Sequence, residues 1–193
     1  RAKKIMQKLN INTADFFTTE PNEHKDESSI PITFPLFIKP ITGGDSRGID
    51  TDSIVYNYKD FKKKVLDIKL NQHSRSLVEK YLSGKEYSVG IFKDNVNGNI
   101  EAMPIEIIVK KNLNGHYILD FDIKKNDEEE VVAVFNKKIF KRLCLIAKKS
   151  FVALGGKSFG RIDIKMDNLG NPYFIEANLM PGIRKGYFYR SCL

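Results

Sequence analysis

Four residues in one short stretch have side chains suited to holding a cation against an anion: Arg161, Asp163, Glu176 and Asn178. They lie in RIDIKMDNLGNPYFIEAN, where polar and apolar residues alternate on each side of a turn. Successive side chains of a strand face opposite sides of the sheet. Arg161, Asp163 and Lys165 therefore share one face, and Ile162, Ile164 and Met166 share the other. Residues 167–172, DNLGNP, are turn formers. The next run puts Phe174, Glu176 and Asn178 on one face and Tyr173, Ile175 and Ala177 on the other. Antiparallel pairing with Met166 opposite Tyr173 sets Ile164 against Ile175 and Ile162 against Ala177. The same register sets Asp163 against Glu176 and Arg161 against Asn178. Two facing carboxylates repel, and a cation offsets the repulsion. Because the ligands on offer are all oxygens, a hard divalent ion fits, and magnesium is commonly held by one or two carboxylates together with nucleotide phosphates. The plain alternative is a solvated polar face on which Arg161 or Lys165 neutralises the acids. Periodicity alone favours that alternative, since a bare D…ExN pattern is common by chance.

A second candidate is the turn IKPITGGDSRGID, residues 38–50. Gly43 and Gly48 have the outer spacing of a phosphate-binding GxxxxGK[ST] loop, but Ile49 and Asp50 replace Lys-Ser. GxGxxG is also missing. Backbone N–H groups of such a loop still suit phosphates. Lys39 ends the apolar run PLFI, so it either snorkels to water or reaches into a cleft.

The elements that must carry these residues follow from periodicity. Residues 1–9 read as a helix with Ile5, Met6 and Leu9 inward. Residues 18–31 read as a surface loop, and 35–38 as an apolar strand. A helix near 58–69 buries Phe61, Val65 and Ile68. SLVEKYL (76–82) and EYSVGIF (86–92) read as strands, and Asn97-Gly98 as a hairpin turn into IEAMPIEIIV. HYILDFDI reads as a further strand. A long helix is expected over 131–153, with Phe135, Ile139, Leu143, Ile146, Ala147 and Leu154 at helical spacing and Gly155-Gly156 as its cap. The pattern is α+β with mostly antiparallel strands, and a connector at 82–85 divides it into two lobes.

With 193 residues, 41% hydrophobic and 29% charged, the composition is that of a globular protein. The net charge of +8 admits a polyanion partner. The lysines are spread and interrupted by acids, however, with no basic run interleaved with aromatics, so no nucleic-acid partner is expected. No apolar run approaches the roughly 20 residues of a membrane helix, so no membrane partner is expected either. Two cysteines, Cys144 and Cys192, have no metal-like spacing and suggest a reducing, cytoplasmic setting. His24, His73 and His116 are far apart and read as surface residues. The first residue is not Met, which suggests a piece of a longer chain.

Together these blocks resemble the ATP-grasp superfamily, and within it the D-alanine–D-alanine ligase branch. The resemblance is carried, in order, by the strand ending in IKP, the glycine-rich loop, a helix, VEKYLSGKEYSVG, the EAMPIEI hairpin and GRIDIKMDNLGNPYFIEANLMPGI. It implies an ATP-grasp fold of two lobes, 1–82 with its phosphate loop at 41–49 and 83–193 with its hairpin at 160–182. Each lobe has a mostly antiparallel sheet and helices, and ATP binds between them. It further implies that Lys39 touches ATP phosphate and base, and that Gly44, Ser46 and Gly48 lie on the loop closing over the phosphates. Glu79 and the main chain of Lys80, Tyr81 and Leu82 would hold adenine, and Glu86 the ribose. Asp163, Glu176 and Asn178 would bind two magnesium ions, with manganese a substitute. Arg161 would stabilise the transition state, Lys124 would lie near the γ-phosphate, and the N–H of Gly182 would help hold an oxyanion. The implied reaction is ATP-dependent amide formation between an amino acid or short peptide and an amine through an acyl phosphate. D-alanine dipeptide synthesis for peptidoglycan is the leading case, and a homodimer is among the expectations.

Three departures from the family pattern stand out. The family's N-terminal substrate domain is expected to lie outside this stretch of chain. After Pro-Gly, where the family has small hydroxyl residues, the chain runs IRKGYFYRSCL, so Arg184, Lys185 and Tyr187 would reshape the substrate pocket. Lys125 stands where the family often has Tyr. The alternatives are a ligase for another amino acid or peptide, a non-catalytic nucleotide-binding module or fragment needing another domain, and, on net charge alone, a nucleic-acid-binding protein.

Overall fold

The computed structural model describes residues 1–44, 46–110, 115, 117–126, 128–184 and 186–193, without the side chains of Phe121 and Lys125. In chain order the elements begin with α1 (Ala2–Lys8), β1 (Phe16–Thr19), β2 (Leu36–Pro40), β3 (Ile54–Val55), α2 (Tyr58–Gln72), β4 (Ser76–Lys80) and β5 (Glu86–Lys93). They continue with β6 (Ile100–Ile108), α3 (Phe121–Asn126), β7 (Glu130–Ala133), α4 (Lys137–Ala153), β8 (Phe159–Met166), β9 (Pro172–Asn178) and α5 (Tyr187–Cys192). None of the helices among the described residues is long and apolar enough to cross a membrane.

The chain forms two compact units. One comprises residues 1–13, 82–108 and 130–193, and the other residues 14–81 and 109–129. The sequence reading placed one boundary, at 82/83; the units are instead interleaved along the chain.

The first unit is built on a five-stranded sheet in the order β7-β6-β5-β8-β9, with every neighbouring pair antiparallel. Its core joins Tyr87, Val89 and Ile91 of β5, Ile162, Ile164 and Met166 of β8 and Phe174 of β9 to Met6 of α1 and to Leu143, Ile146, Ala147 and Phe151 of α4. Asn136 caps α4, its side-chain oxygen accepting the N–H groups of Lys138 and Ile139 at 3.0 and 3.1 Å. The second unit has a four-stranded sheet, β1-β4-β2-β3. Leu36 and Ile38 of β2, Val55 of β3 and Val78 of β4 pack there on Phe61, Val65 and Ile68 of α2.

Several expectations are corrected. HYILDFDI is not a strand: 117–120 have no regular structure and α3 starts at Phe121, where the Asp120 side chain accepts the Ile123 N–H at 2.9 Å, a helix-starting bond. The helix expected over 131–153 starts only at Lys137. The β-branched pair Val131-Val132 goes into β7, and Phe135 is 89% exposed. Leu9 follows α1 and is exposed. The loop expected at 18–31 opens with the end of β1 and contains a short 3-10 turn, Glu27–Ser29. His116 lies outside the described residues.

The hairpin is the most instructive case. Arg161 opposes Asn178, Ile162 opposes Ala177 and Asp163 opposes Glu176, but Ile164 then opposes Phe174 rather than Ile175. A bulge at this point inserts Ile175 into β9. Phe174 thereby turns into the core and is fully buried, while Glu176 stays exposed.

Candidate active site

The polar face of β8 and its neighbours in the first unit gathers the residues expected to hold a cation. Asp163 is only 7% exposed. Its Oδ1 accepts the Ser88 hydroxyl at 2.7 Å and Arg161 Nε at 3.0 Å, and its Oδ2 accepts Arg161 Nη2 at 2.9 Å. Glu176, across the β8–β9 ladder, is exposed, as is Asn178. The Asn178 side-chain oxygen accepts the Met180 N–H at 3.0 Å. The pKa of Arg161 is raised. Burial pulls it down, but the paired Asp163 carboxylate, with the Glu176 charge and Tyr187 adding to it, outweighs that pull. The guanidinium also lies over the Tyr187 ring, 5.6 Å from its centroid. Tyr187 is buried at the start of α5, which packs on the sheet where β5 has Gly90. A Cβ at Gly90 would stand 2.8 Å from the Ser191 Cβ, so the glycine lets α5 sit there.

Further along the same face, Glu86 accepts a 2.9 Å bond from Lys165. The neutralisation of acids by Arg161 and Lys165, the plain alternative in the sequence, is therefore present in the fold. So is the opposition of Asp163 to Glu176. Gly182 and Arg184 are exposed. Lys185 and the Lys125 side chain lie outside the described residues.

The second unit carries the other expected nucleotide residues. Lys39 at the end of β2 pairs with Glu79 of β4 at 3.1 Å, and both are largely buried. The lysine does not simply snorkel to water. Lys80 and Tyr81 donate their N–H groups within the unit, to Asp15 O at 2.9 Å and Pro35 O at 3.2 Å. In the glycine-rich loop Gly44 is exposed. Ser46 adopts a left-handed backbone, φ 59°, with its hydroxyl donating to Leu119 O at 3.1 Å. Such strain in a non-glycine residue concentrates at functional sites. Gly48 has φ 75°, and a Cβ there would meet the Pro40 ring at 2.6 Å. Lys124 lies in α3 and is partly buried. Leu82 is buried in the first unit.

Sequence reasoning missed Ser88. The sequence offers only part of the signal: in EYSVGIF the alternation places Ser88 on the face of Glu86, but the register of β5 against β8 that brings it to Asp163 is set by the fold.

Among the described residues no three His, Cys, Asp or Glu side chains cluster as a metal site. The hairpin offers two carboxylates and an amide. These are oxygen donors only, which suit magnesium when phosphates complete the shell.

An antiparallel α+β unit with an acidic hairpin, and another with a lysine and a glycine-rich loop, define the class of protein to compare. Residues 5–192 match the family described as D-ala D-ala ligase C-terminus. The chain belongs to that family. A D-alanine–D-alanine ligase of Aquifex aeolicus is 32% identical over 185 residues, which are 94% of this chain and 57% of that protein. The D-alanine–D-alanine ligase B of Clostridium perfringens is 29% identical, over 94% of this chain and 57% of its own length. The chain thus spans little more than half the length of these relatives. Among solved structures, the Bacillus anthracis D-alanine–D-alanine ligase complexed with ATP superposes with a TM-score of 0.71 at 24% identity, covering 99% of this chain and 57% of that one. The fold is that of the ATP-grasp ligases.

Proposed function

We propose that this chain supplies the nucleotide- and metal-binding machinery of an ATP-dependent ligase that forms an amide bond between an amino acid or short peptide and an amine. D-alanine, joined for peptidoglycan, is the foremost substrate, as the names of the relatives suggest. The observation that carries the reading is the pairing of Asp163 with Glu176, and of Arg161 with Asn178, along one ladder.

In the proposed reaction a substrate carboxylate oxygen bonds to the γ-phosphorus of ATP and ADP leaves. The amine nitrogen then bonds to the acyl phosphate carbonyl, loses its proton, and inorganic phosphate leaves. Bound magnesium neutralises phosphate charge during this transfer. Asp163, Glu176 and Asn178 would hold it. Arg161, partly buried and firmly charged, supplies a permanent positive charge where negative charge develops. Lys39, Glu79, Glu86, the 80–82 backbone and the 44–48 loop bind and orient the nucleotide. Lys124 adds charge near the γ-phosphate, and the exposed Gly182 N–H faces the developing oxyanion. Arg184 and Tyr187 shape the end of the site that receives the substrate, in place of the small hydroxyl residues of the resemblance.

Calorimetric titration of ATP with and without magnesium, on the wild type and on Glu176→Ala, tests the reading. The expected result is binding that requires magnesium and weakens about tenfold or more in the variant. Binding indifferent to both magnesium and Glu176 would overturn it.

A further inference from the structure

We infer that Ser88 is a positioning residue for the cation site, holding the Asp163 carboxylate so that its outer edge faces Glu176. The inference rests on the proposed function above. Ser88 is fully buried. It opposes Asp163 in the β5–β8 ladder, and Glu176 opposes Asp163 in the β8–β9 ladder. Paired residues share a face, so Ser88, Asp163 and Glu176 form a row across the sheet with Asp163 in the middle. Neighbours in such a row have Cβ atoms about 5 Å apart. Ser88 therefore reaches Asp163 from the side away from Glu176 and leaves the near side to a cation.

The three donors on Asp163 are not equivalent. An ionised carboxylate has about four lone-pair sites, and Ser88 and Arg161 occupy three of them. The Arg161 guanidinium has the same sign of charge as an incoming metal ion and is repelled by it. The Ser88 hydroxyl is neutral and is not. It is the donor that keeps the carboxylate in place when the guanidinium gives way. Removing it leaves Oδ1 with Arg161 Nε alone, the bond a cation disrupts. Hydrogen bonds to ligating carboxylates typically change metal affinity about 10–100-fold.

The test measures binding of Mn²⁺ together with ATP by calorimetric titration of the Mn²⁺–ATP complex, against a titration of ATP alone, for the wild type, Glu176→Ala, Ser88→Ala and Ser88→Thr. Metal-free melting is recorded for each. Ser88→Ala is expected to weaken Mn²⁺ binding about tenfold, and Ser88→Thr, which keeps the hydroxyl, to stay within about threefold. Both are expected to stay folded at the assay temperature, with Ser88→Ala melting somewhat lower because it loses a bond to a carboxylate. Binding by Ser88→Ala within about twofold of the wild type overturns the inference. So does an equal loss in both serine variants, since that assigns the effect to packing, or a Ser88→Ala protein that is unfolded at the assay temperature while Ser88→Thr binds no better. If the wild type binds no Mn²⁺ with ATP, or Glu176→Ala binds as well as the wild type, the proposed function falls and this inference with it. A sensitive Glu176 beside an insensitive Ser88 removes the inference alone.

Discussion

Asp163 stands between two partners that compete for it. Arg161 forks its carboxylate on the same strand, and Glu176 faces it from the next. An arginine beside an acid is what a merely solvated face also shows. What distinguishes this face is that it keeps a second acid opposite a pair already formed. Both relations were legible in the sequence, because they depend only on alternation and a short turn. The Ser88 hydroxyl was not, because its bond to Asp163 spans 75 residues of sequence and depends on how β5 registers against β8. On the opposite face of β5, Tyr87 is 1% exposed. Its phenol pKa is raised from 10.0 to about 12 by burial first, and then by the charge of Glu106 and a hydrogen bond to it. The fold thus favours the protonated phenol. Its contribution to stability is complete below the unfolded value of 10.0 and is lost as pH rises toward about 12. Replacing Tyr87 by Phe should remove that loss. Urea unfolding just below pH 10 and again near 12 is expected to show the wild type losing on the order of 2 kcal/mol more than Tyr87→Phe across the window. An equal alkaline loss in both proteins would contradict the assignment.

The bulge in β9 is where strand periodicity alone fails. A strict period of two puts Ile175 in the core and Phe174 beside Glu176, and the fold does the reverse for Phe174. The extra residue lets a buried aromatic and an exposed acid stand two positions apart on one strand, and bulges commonly sit beside active sites for this reason. Truncation distinguishes the two registers. Phe174→Ala should cost about 3–5 kcal/mol, as for a fully buried phenylalanine, whereas Ile175→Ala should cost about 1 kcal/mol. Chemical denaturation of both variants checks this, and a larger loss at Ile175 would restore the unbulged register. The elements read well from sequence were those whose pattern repeats over several turns or pairs, such as α2 with Phe61, Val65 and Ile68. HYILDFDI and VVAVF misled for local reasons. Asp120 starts a helix where alternation suggested a strand, and Val131-Val132 join a sheet edge where apolar spacing suggested a helix. Neither choice is visible without the partner that the residues meet.

At the scale of the molecule, the chain passes between its two units at 13/14, 81/82, 108/109 and 129/130. No single cut yields a complete unit. This is why a division at 82/83, natural from composition, describes the order of the motifs and not the order of packing. The family match over residues 5–192 takes in both units and every crossing between them. The first unit draws on the chain's opening segment in specific ways. Met6 is fully buried in the core formed by β5, β8, β9 and α4, and Ile11 joins it. Lys3 Nζ donates to Thr13 Oγ1 at 2.9 Å and to Phe174 O at 3.4 Å, and the Phe174 N–H donates to Asn12 O at 2.8 Å. Burying a Met or Ile side chain contributes about 1.5–3 kcal/mol, a large part of a typical domain's roughly 5–15 kcal/mol. A fragment of residues 83–193 keeps the whole acidic hairpin but lacks this segment. It is expected to bind a hydrophobic dye, to lack near-UV circular dichroism and to melt without a sharp transition. A synthetic peptide of residues 1–13, added in excess, should restore both signals saturably, and Met6→Ala in the peptide should weaken the rescue. A fragment that melts as cooperatively as the full chain without the peptide would show that the hairpin's scaffold is complete without α1, and that the interleaving does not stabilise it.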